Sequence, residues 1–412
     1  MLIENVRKSS LPVLQYMERY VNDGSPSGFT EKNTTSPETD PFGLSPWFHL
    51  AICRGNANFF KDFGRIPEYE IGAGNNWILL HPDMQSKLLE LQSNELDISV
   101  LENWKVIPTS SGRTVQIKKN DNHNYIKLHY DGIIGRVNRA LPWSKAIAGI
   151  EINSEILNGI NSRKLDYRLS LMQEVGARVL FVSTGDNTSQ WGMIWREAEP
   201  YGPSSSKISC LIPYFSMFSV DRFSSFEHPL LTQLISLFRH PPLEFVLETI
   251  VSPVLLSYFS LVSQLGLQAE WNAQNLLLGL DENLNIVSVV MRDLGEIEKD
   301  FTLREKLGLP NDFASYPYKC ISQENDNYKI RHSFQFDFKV GEYLLEPLGE
   351  LLENNFGVNR KLYYNEVRKI SRALIRGLPE DYFPADGKWY KHERIMLTGS
   401  RPYVASENPK FR

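Results

Sequence analysis

The chain has 412 residues, enough for two or three lobes around a sizeable buried core. Hydrophobic residues make up 42% of it and charged residues 23%, which is typical of a globular protein and excludes long disorder. Because 44 Lys and Arg nearly balance 49 Asp and Glu, no global field would attract nucleic acid or an anionic membrane. An anionic ligand must therefore meet a local basic cluster.

The cysteines and the apolar segments both favour the cytoplasm. Cys53, Cys210 and Cys320 are odd in number and far apart, which fits neither a disulfide framework nor a zinc or iron–sulfur site. The N-terminal segment carries Glu4 early and lacks the apolar run of a secretory signal. No stretch approaches the 18 apolar residues of a membrane span, the richest being 253–267. We therefore predict a cytoplasmic protein with no membrane partner.

The first 240 residues are predicted to form a short helix, a loop and then a sheet. Residues 23–46 are dense in Gly, Pro, Ser and Thr, which is typical of a loop. From residue 106 to about 220, β-type runs dominate. These runs are 115–118, 125–134, 179–183 and 191–196, the last two joined by a turn at 184–187. An antiparallel sheet is the simplest interpretation.

The second half is predicted to be mainly helical. Ser252 and Pro253 supply an N-cap and an N1 proline, and Gly266 supplies a stop, so a helix is expected over 253–265. A buried strand is expected over 283–291, after a turn that starts at Asp281. Amphipathic patterns then predict helices over 338–355 and 362–377.

These elements predict an α+β fold with several lobes. We divide the chain into a reduced N-terminal lobe over 1–105, a β-rich middle lobe over 106–240 and a helical lobe over 241–412.

One group of candidate functional residues lies in the predicted sheet. The alternation of a strand places Lys127 on the same face as Tyr125 and His129. Upstream, residues 108–114 combine hydroxyls, a glycine and an arginine at the start of a strand, a composition suited to phosphate or carboxylate oxygens. Arg139 follows downstream. By themselves these residues are better explained by a solvated strand face beside an ordinary turn.

A second group surrounds the predicted strand over 283–291. Residues 270–275 (Glu-Trp-Asn-Ala-Gln-Asn) precede it, and Arg292 and Asp293 follow it. Carboxylates and amides at the ends of adjacent strands could hold Mg²⁺ and an adenine nucleotide, because hard oxygens suit a magnesium ion that bridges phosphates. The plainer alternative is a polar hairpin end with an incidental Arg–Asp pair.

Taken in order, these motifs resemble the NRPS-independent siderophore synthetases of the aerobactin synthetase type. The resemblance covers about residues 76 to 300. Its motifs are His-Pro-x-x-Gln at 81–85, Ser-x-Arg-Thr at 111–114, a strand lysine with an arginine twelve residues on at Lys127 and Arg139, Arg-Glu at 196–197, and Glu-x-His-x-Gln-Asn with a later Arg-Asp at 270–275 and 292–293. Several short motifs in family order are far more specific than any one of them.

The resemblance implies a cupped-hand architecture with a kinase-like C-terminal lobe. It implies a ligase that uses ATP and Mg²⁺ to adenylate a carboxylate, with a citrate-like polycarboxylate as the leading candidate. The acyl group would pass to an amine or hydroxyl, with release of AMP and pyrophosphate. The family tendency also implies a homodimer.

The same resemblance assigns roles to individual residues. Arg113, Lys127 and Arg139 would be catalytic, because two anions must be brought together and neutralised before they react. ATP would be held by Ser111, Arg113, Thr114, Lys127, Asn272, Gln274, Asn275 and Asp293. The acid would contact His81, Lys127 and Arg139, and the Mg²⁺ ligands would be Glu270 and Asp293.

Two positions depart from the family pattern. Asn272 stands where the family has a histidine, and an asparagine cannot act as a cation or proton shuttle. Gly135 stands where the family has a threonine. These departures keep open a degenerate homologue that binds nucleotide or ligand without turnover. A kinase-like phosphotransferase, which would make ADP rather than AMP, is the other alternative.

Overall fold

A computed structural model describes residues 2–23, 35–43, 45–67, 76–91, 95–119, 122–134, 137–184, 187–224, 227–325, 327–392 and 402–412. The strands in these ranges are β1 Phe48–Arg54, β2 Phe60–Gly64, β3 Trp77–Leu80, β4 Asp97–Pro108, β5 Thr114–Lys119, β6 Asn122–Leu128, β7 Tyr130–Ile134, β8 Val137–Arg139, β9 Leu169–Leu171, β10 Glu174–Thr184, β11 Asn187–Glu197, β12 Cys210–Pro213, β13 Leu267–Gln268, β14 Leu276–Leu280, β15 Ile286–Met291, β16 Glu298–Asp300, β17 Cys320–Ile321, β18 Lys388–His392 and β19 Tyr403–Glu407. The α-helices are α1 Leu2–Arg7, α2 Val13–Tyr20, α3 Gln85–Leu89, α4 Trp143–Asn161, α5 Leu230–Phe238, α6 Pro242–Val246, α7 Ser252–Leu265, α8 Phe301–Lys306, α9 Tyr328–Ser333, α10 Glu346–Phe356 and α11 Arg360–Ile375.

An antiparallel sheet of eight strands, in the order β2-β10-β11-β6-β5-β4-β1-β3, forms most of the first half. Strand alternation sends Leu180 and Val182 of β10 into the core on one face, while Ala177 and Val179 face helix α4 on the other. The predicted pairing of these two strands is confirmed, since β10 and β11 pair antiparallel from Glu174 to Thr184. Residues 185 and 186 of the predicted turn lie outside the described residues.

The predicted strand over 125–134 is instead two strands, β6 and β7, that separate at His129. The His129 amide donates to the Gly192 carbonyl of β11, at 2.9 Å, and β7 then leaves the large sheet to pair with β8. Periodicity could not show this break, because the residues on both sides of it have the composition of a strand.

The predicted lobe boundary at residue 105 falls within β4, and the large sheet joins strands from both sides of it. Helices α1 and α2 contribute Leu2, Val6 and Met17 to the core that they share with the second half of the chain. The division at 105 and 240 stays a prediction.

The second half packs helices around the sheet β12-β14-β15-β9, and the whole chain is a mixed α+β protein, as predicted. Within the described ranges, one helix, Pro242–Leu265, is long and apolar enough to cross a membrane by length and composition. This corrects the expectation that no segment approaches that length. Of its most apolar window, 67% is buried inside the protein, which is the pattern of a core helix.

Pro253 lies inside this helix rather than at its start, which corrects the predicted N-cap at Ser252. A π-helical segment, Leu247–Val251, joins α6 to α7 just before the proline. A proline has no N–H and its ring clashes with the preceding turn, and the wider π turn accommodates both defects. The segment Phe334–Leu345 does the same before Pro347, so the helix predicted over 338–355 is part of a longer run from α9 to α10.

The predicted stop at Gly266 is confirmed, because this residue closes α7 with a left-handed φ of 60°. A Cβ there would lie 2.5 Å from Cγ of the buried Arg304. We expect Gly266→Ala to lower the free energy of unfolding by about 2 to 3 kcal/mol, since left-handed strain adds to this clash. Gly357→Ala is the matched control, with a φ of 65° at the end of α10 and nothing within 4 Å, and should cost about 1 kcal/mol. Equal urea midpoints for the two variants would show that a Cβ at residue 266 does not clash with Arg304.

Candidate functional site

The site begins at a tight turn between β4 and β5, where the sequence predicted oxygen-binding groups. Gly112 adopts a left-handed φ of 73°, and Ser111 Oγ accepts the Thr114 amide at 3.1 Å. The turn directs the side chain of Arg113 into the interior, where it is 3% exposed and donates to the Arg139 carbonyl. Three predicted residues, Ser111, Arg113 and Thr114, therefore belong to one turn, and Arg113 joins it to Arg139.

Lys127 lies in the middle of the large sheet, as its alternation predicted. On β6 it pairs with Thr114 of β5 and with Ile194 of β11, so its side chain shares a face with Arg196, two residues along β11. Lys127 is 3% exposed, and its Nζ donates to Asp293 Oδ1 at 3.1 Å.

Asp293 is where the two predicted groups of residues meet. It follows β15 in a left-handed conformation, with a φ of 64°, and its Oδ1 accepts from both Lys127 and Arg196. Burial alone would raise the pKa of Asp293, but the charges of Lys127, Arg196 and Arg292 hold it well below its ordinary value. No described residue donates to Oδ2, and the side chain is 23% exposed.

Arg113 carries a positive charge that no contacting carboxylate neutralises. It forms no ion pair with a described residue, and it lies within electrostatic reach of Arg139. Burial and the Arg139 charge lower the pKa of Arg113 to about 10, against the opposing effect of Asp293 and Glu296. A buried arginine without a carboxylate in contact favours an anion beside it, because a buried charge is costly unless a counter-charge is present.

Sequence reasoning included Arg196 in the Arg-Glu motif at 196–197 without giving it a role, and it missed Glu174, Glu296, Lys145 and Lys319. Arg196 Nη2 donates to Glu174 Oε1 at 2.8 Å as well as to Asp293, and these two carboxylates raise the pKa of Arg196 although burial opposes them. Glu296 binds Lys145 Nζ at 2.6 Å and Lys319 Nζ at 3.2 Å. These two cations lower the pKa of Glu296 to about 2, although burial acts in the opposite direction.

Only one of these missed residues left a signal in the sequence. Glu296 follows Asp293 by one short helical turn, so an Arg-Asp-x-x-Glu pattern could have indicated it. Glu174 and Lys319 lie far from the motifs along the chain, and Lys145, although it follows Arg139 closely, belongs to no such pattern.

The predicted nucleotide amides gather in one turn, which we call the amide turn (residues 270–275). Asn272 Oδ1 accepts the backbone amides of Gln274 and Asn275 at 2.9 and 3.0 Å. Gln274 Nε2 donates to Ser110 Oγ at 3.1 Å, which joins the amide turn to the turn that carries Arg113. The role of Asn272 in this structure is thus to cap the turn.

Glu18, which the sequence did not indicate, ties the two turns together. Its Oε2 accepts the Ser110 amide at 2.9 Å and its Oε1 accepts from Arg292, while the residue is 0% exposed. Arg292 Nε in turn donates to the Gln274 carbonyl at 2.9 Å. A lone acid on the short helix α2 gives no hint of contacts with residues so distant in sequence.

The predicted magnesium ligands differ in their surroundings. Glu270 is paired with Lys339, whose Nζ lies 2.9 Å from Oε1, whereas Asp293 adjoins the basic residues of the site. Among the described residues, no group of three or more His, Cys, Asp or Glu side chains could hold a metal ion. Asp293 fits Mg²⁺ through its ionised and partly exposed carboxylate, a type of ligand that this ion shares with phosphates. The pair stays a prediction.

His81 is fully buried. Its Nδ1 accepts the Asp83 amide at 3.3 Å, and its ring packs against Phe48 and Tyr130 at centroid distances of 5.5 and 5.0 Å. Burial lowers the pKa of His81 to about 4, against the effect of the Asp83 carboxylate, so the ring is neutral at pH 7. Its predicted contact with the acid stays a prediction. Gly135, the second departure from the family pattern, lies outside the described residues.

The pKa of His81 predicts sensitivity to acid. Between the ordinary pKa of 6.5 and about 4, an unfolded His81 takes up a proton that the folded one refuses, so stability falls as pH drops through this window, by up to about 3 kcal/mol. His129, whose pKa burial also lowers to about 4, adds to the effect. We expect His81→Gln to lose part of the decrease in urea midpoint between pH 7 and pH 5. An unchanged pH dependence would show that His81 does not contribute.

The sequence matches no protein-family model and no curated protein. Solved structures do share its fold. Petrobactin biosynthesis protein AsbB from Bacillus anthracis str. Sterne matches with a TM-score of 0.74 at 13% identity, over 98% of this chain and 76% of AsbB. ATP-bound aerobactin synthetase IucA from a hypervirulent pathotype of Klebsiella pneumoniae matches at 0.73 and 13%, over 99% of this chain and 78% of IucA. Aerobactin synthetase IucC from the same source matches at 0.67 and 13%, over 90% and 70%.

These likenesses confirm the predicted resemblance to the NRPS-independent siderophore synthetases at the level of the fold. They extend over nearly the whole chain, beyond the 76–300 region whose motifs carried the prediction.

Proposed function

We propose that this protein is an ATP-dependent synthetase of siderophore-type biosynthesis, which adenylates a carboxylate and condenses it with an amine or hydroxyl. The observation that carries the proposal is the buried Arg113, which has no carboxylate partner and lies close to Arg139 beside Lys127 and Asp293. Such an arrangement suits two anions that must approach one another. The shared fold with an ATP-bound aerobactin synthetase supports ATP as one of them.

In this proposal the basic residues act by positioning and charge neutralisation. Arg113 and Lys127 would contact ATP phosphates, and with Arg139 they would offset the charge that develops as a carboxylate oxygen attacks the α-phosphorus. Pyrophosphate leaves, and the amine or hydroxyl then attacks the acyl carbon and displaces AMP. A citrate-like polycarboxylate remains the leading acid.

The amide turn and the acids would hold the rest of the nucleotide. Gln274 and Asn275 offer amide groups beside the turn that carries Arg113. Mg²⁺, when bound with ATP, would neutralise phosphate charge, and Asp293 and Glu270 are its proposed ligands. A kinase-like C-terminal lobe, a cytoplasmic location and a homodimer complete the proposal, and light scattering of the purified protein tests the last of these.

Product analysis tests the proposed reaction. The protein is incubated with ATP, Mg²⁺, a panel of di- and tricarboxylates and hydroxylamine as a surrogate nucleophile. We expect AMP, pyrophosphate and a hydroxamate with one acid, which would also identify that acid. ADP as the only nucleotide product would favour a phosphotransferase instead.

A binding-only homologue is the second candidate, and one observation favours it. Asn272 occupies the position of the family's histidine, and its side-chain oxygen is committed to the Gln274 and Asn275 amides. Nucleotide binding by calorimetry without turnover across the whole panel would establish this candidate.

A further inference from the structure

The carboxylate of Glu174 occupies a notch that helix α4 leaves open at Gly149. A Cβ at Gly149 would lie 1.9 Å from Glu174 Oε2, so no side chain fits there unless the carboxylate moves. Glu174 is 0% exposed, and its buried Oε2 has no hydrogen-bond partner among the described residues. The shape of the notch, rather than a hydrogen bond, therefore places this oxygen.

From this notch, charged side chains lead directly to the proposed site. Glu174 Oε1 accepts from Arg196 Nη2 at 2.8 Å, and the same Nη2 donates to Asp293 Oδ1. Lys127 Nζ donates to that same oxygen at 3.1 Å. Acid, base, acid and base thus alternate, and Glu174 is the most deeply buried of the four.

We propose that Glu174 is a positioning residue for Asp293, acting through Arg196, and that Gly149 is glycine to make room for it. With Arg196 fixed by Glu174 and Lys127 fixed by its strand, Asp293 Oδ1 is held from two sides. Because Oδ1 is fixed and Oδ2 accepts from no described residue, Oδ2 is left on the exposed side of the carboxylate. The consequence for catalysis rests on the proposed function, whereas the positioning itself does not.

The turn that follows Asp293 packs against the same part of α4. A Cβ at Gly295 would lie 3.0 Å from the Lys145 carbonyl of that helix, and a Cβ at Gly149 would lie 3.3 Å from the Gly295 amide. Helix α4 therefore contacts both Glu174 and the turn that follows Asp293, so moving the helix away from Glu174 would also disturb its packing against that turn.

The first test needs no activity. We expect Gly149→Ala to lower Tm by about 4 °C, and to lose most of that effect in a Glu174→Ala background, where the clashing carboxylate is absent. Gly159→Ala is the matched control, since Gly159 lies on the same helix and its Cβ would meet leucine side chains but not Glu174. If Gly149→Ala lowers Tm equally in the wild-type and Glu174→Ala backgrounds, the proposal that Gly149 makes room for the Glu174 carboxylate is wrong.

The second test asks whether the positioning reaches Asp293. Glu174 and Asp293 both accept from the guanidinium of Arg196. The effects of Glu174→Gln and Asp293→Asn on Tm should therefore be non-additive. Additive effects would overturn the relay through Arg196.

The third test connects the relay to turnover. We expect Gly149→Ala and Glu174→Ala to raise the Mg²⁺ concentration for half-maximal AMP formation by about 10- to 100-fold, and Glu174→Gln, which can still accept from Arg196, to raise it less. A wild-type Mg²⁺ dependence in Gly149→Ala would overturn the catalytic consequence. If the wild type makes no AMP while both Tm tests succeed, the proposed function fails and the positioning of Asp293 stands.

Discussion

Replacing Lys127 with alanine should lower carboxylate-dependent AMP formation by about 100- to 1000-fold while the protein stays folded. The loss follows from removing a buried cation at the point where the two anions would meet. The fold should survive because Asp293 keeps its contact with Arg196 and the nearby charge of Arg292. Arg113→Ala should act in the same direction, since it removes the arginine that has no carboxylate partner.

The rate is measured as pyrophosphate release, and folding as Tm, on the same preparations. Lys87→Ala is the matched control, because Lys87 is an exposed lysine paired with Asp131 and its loss should change neither quantity. Turnover in Lys127→Ala equal to that of the wild type would remove Lys127 from the site.

Replacing Glu18 with glutamine should lower the free energy of unfolding by about 3 to 5 kcal/mol. The buried carboxylate accepts both the Ser110 amide and the Arg292 guanidinium, and a neutral amide leaves that guanidinium without its buried counter-charge. Because Glu18 joins the turn of Arg113 to the amide turn, nucleotide affinity should fall as well.

Urea unfolding measures the first effect and calorimetry with ATP the second. Glu366→Gln is the control, since Glu366 forms an exposed pair with Lys369 on α11, at 2.7 Å, and should cost less than about 0.5 kcal/mol. A Glu18→Gln variant as stable as this control would show that the bridge does not hold the two turns together.

Local patterns predicted the elements well where the cause of each element is itself local. The hairpin of β10 and β11 follows from alternation and a turn, and Gly266 ends its helix because glycine adopts a positive φ easily. The turn at Asp281 likewise forms through that residue's own side chain, which accepts the amides of Asn283 and Asn285. Strand β15 begins after this turn.

Local patterns failed where distant packing decided the outcome. The local pattern predicts a helix start at Pro253, but the core that surrounds Pro242–Leu265 favours a continuous helix, and a π-helical segment accommodates the proline. The strand pairing of β4 with β1 and β5 crosses residue 105, and the lobe boundary placed there stays a prediction.

The sequence by itself determined the chemical groups of the site and their order. Ser111, Arg113 and Lys127 belong to local motifs, and the turns and strands that present these residues form from local interactions. A resemblance based on such motifs could therefore be recognised, and solved structures confirm it for the fold.

Only the tertiary structure decided which charges are neutralised. Asp293 is shared by Lys127 and Arg196, Glu174 fixes Arg196 from the far side, and Arg113 is left without an acid in contact. These pairings join residues far apart in the chain, and their strength depends on burial, which lowers the local dielectric. A local sequence pattern shows neither which distant residues come into contact nor how deeply they are buried. The charge balance that defines the site therefore emerges only when the sheet, helix α4 and the turn after β15 come together.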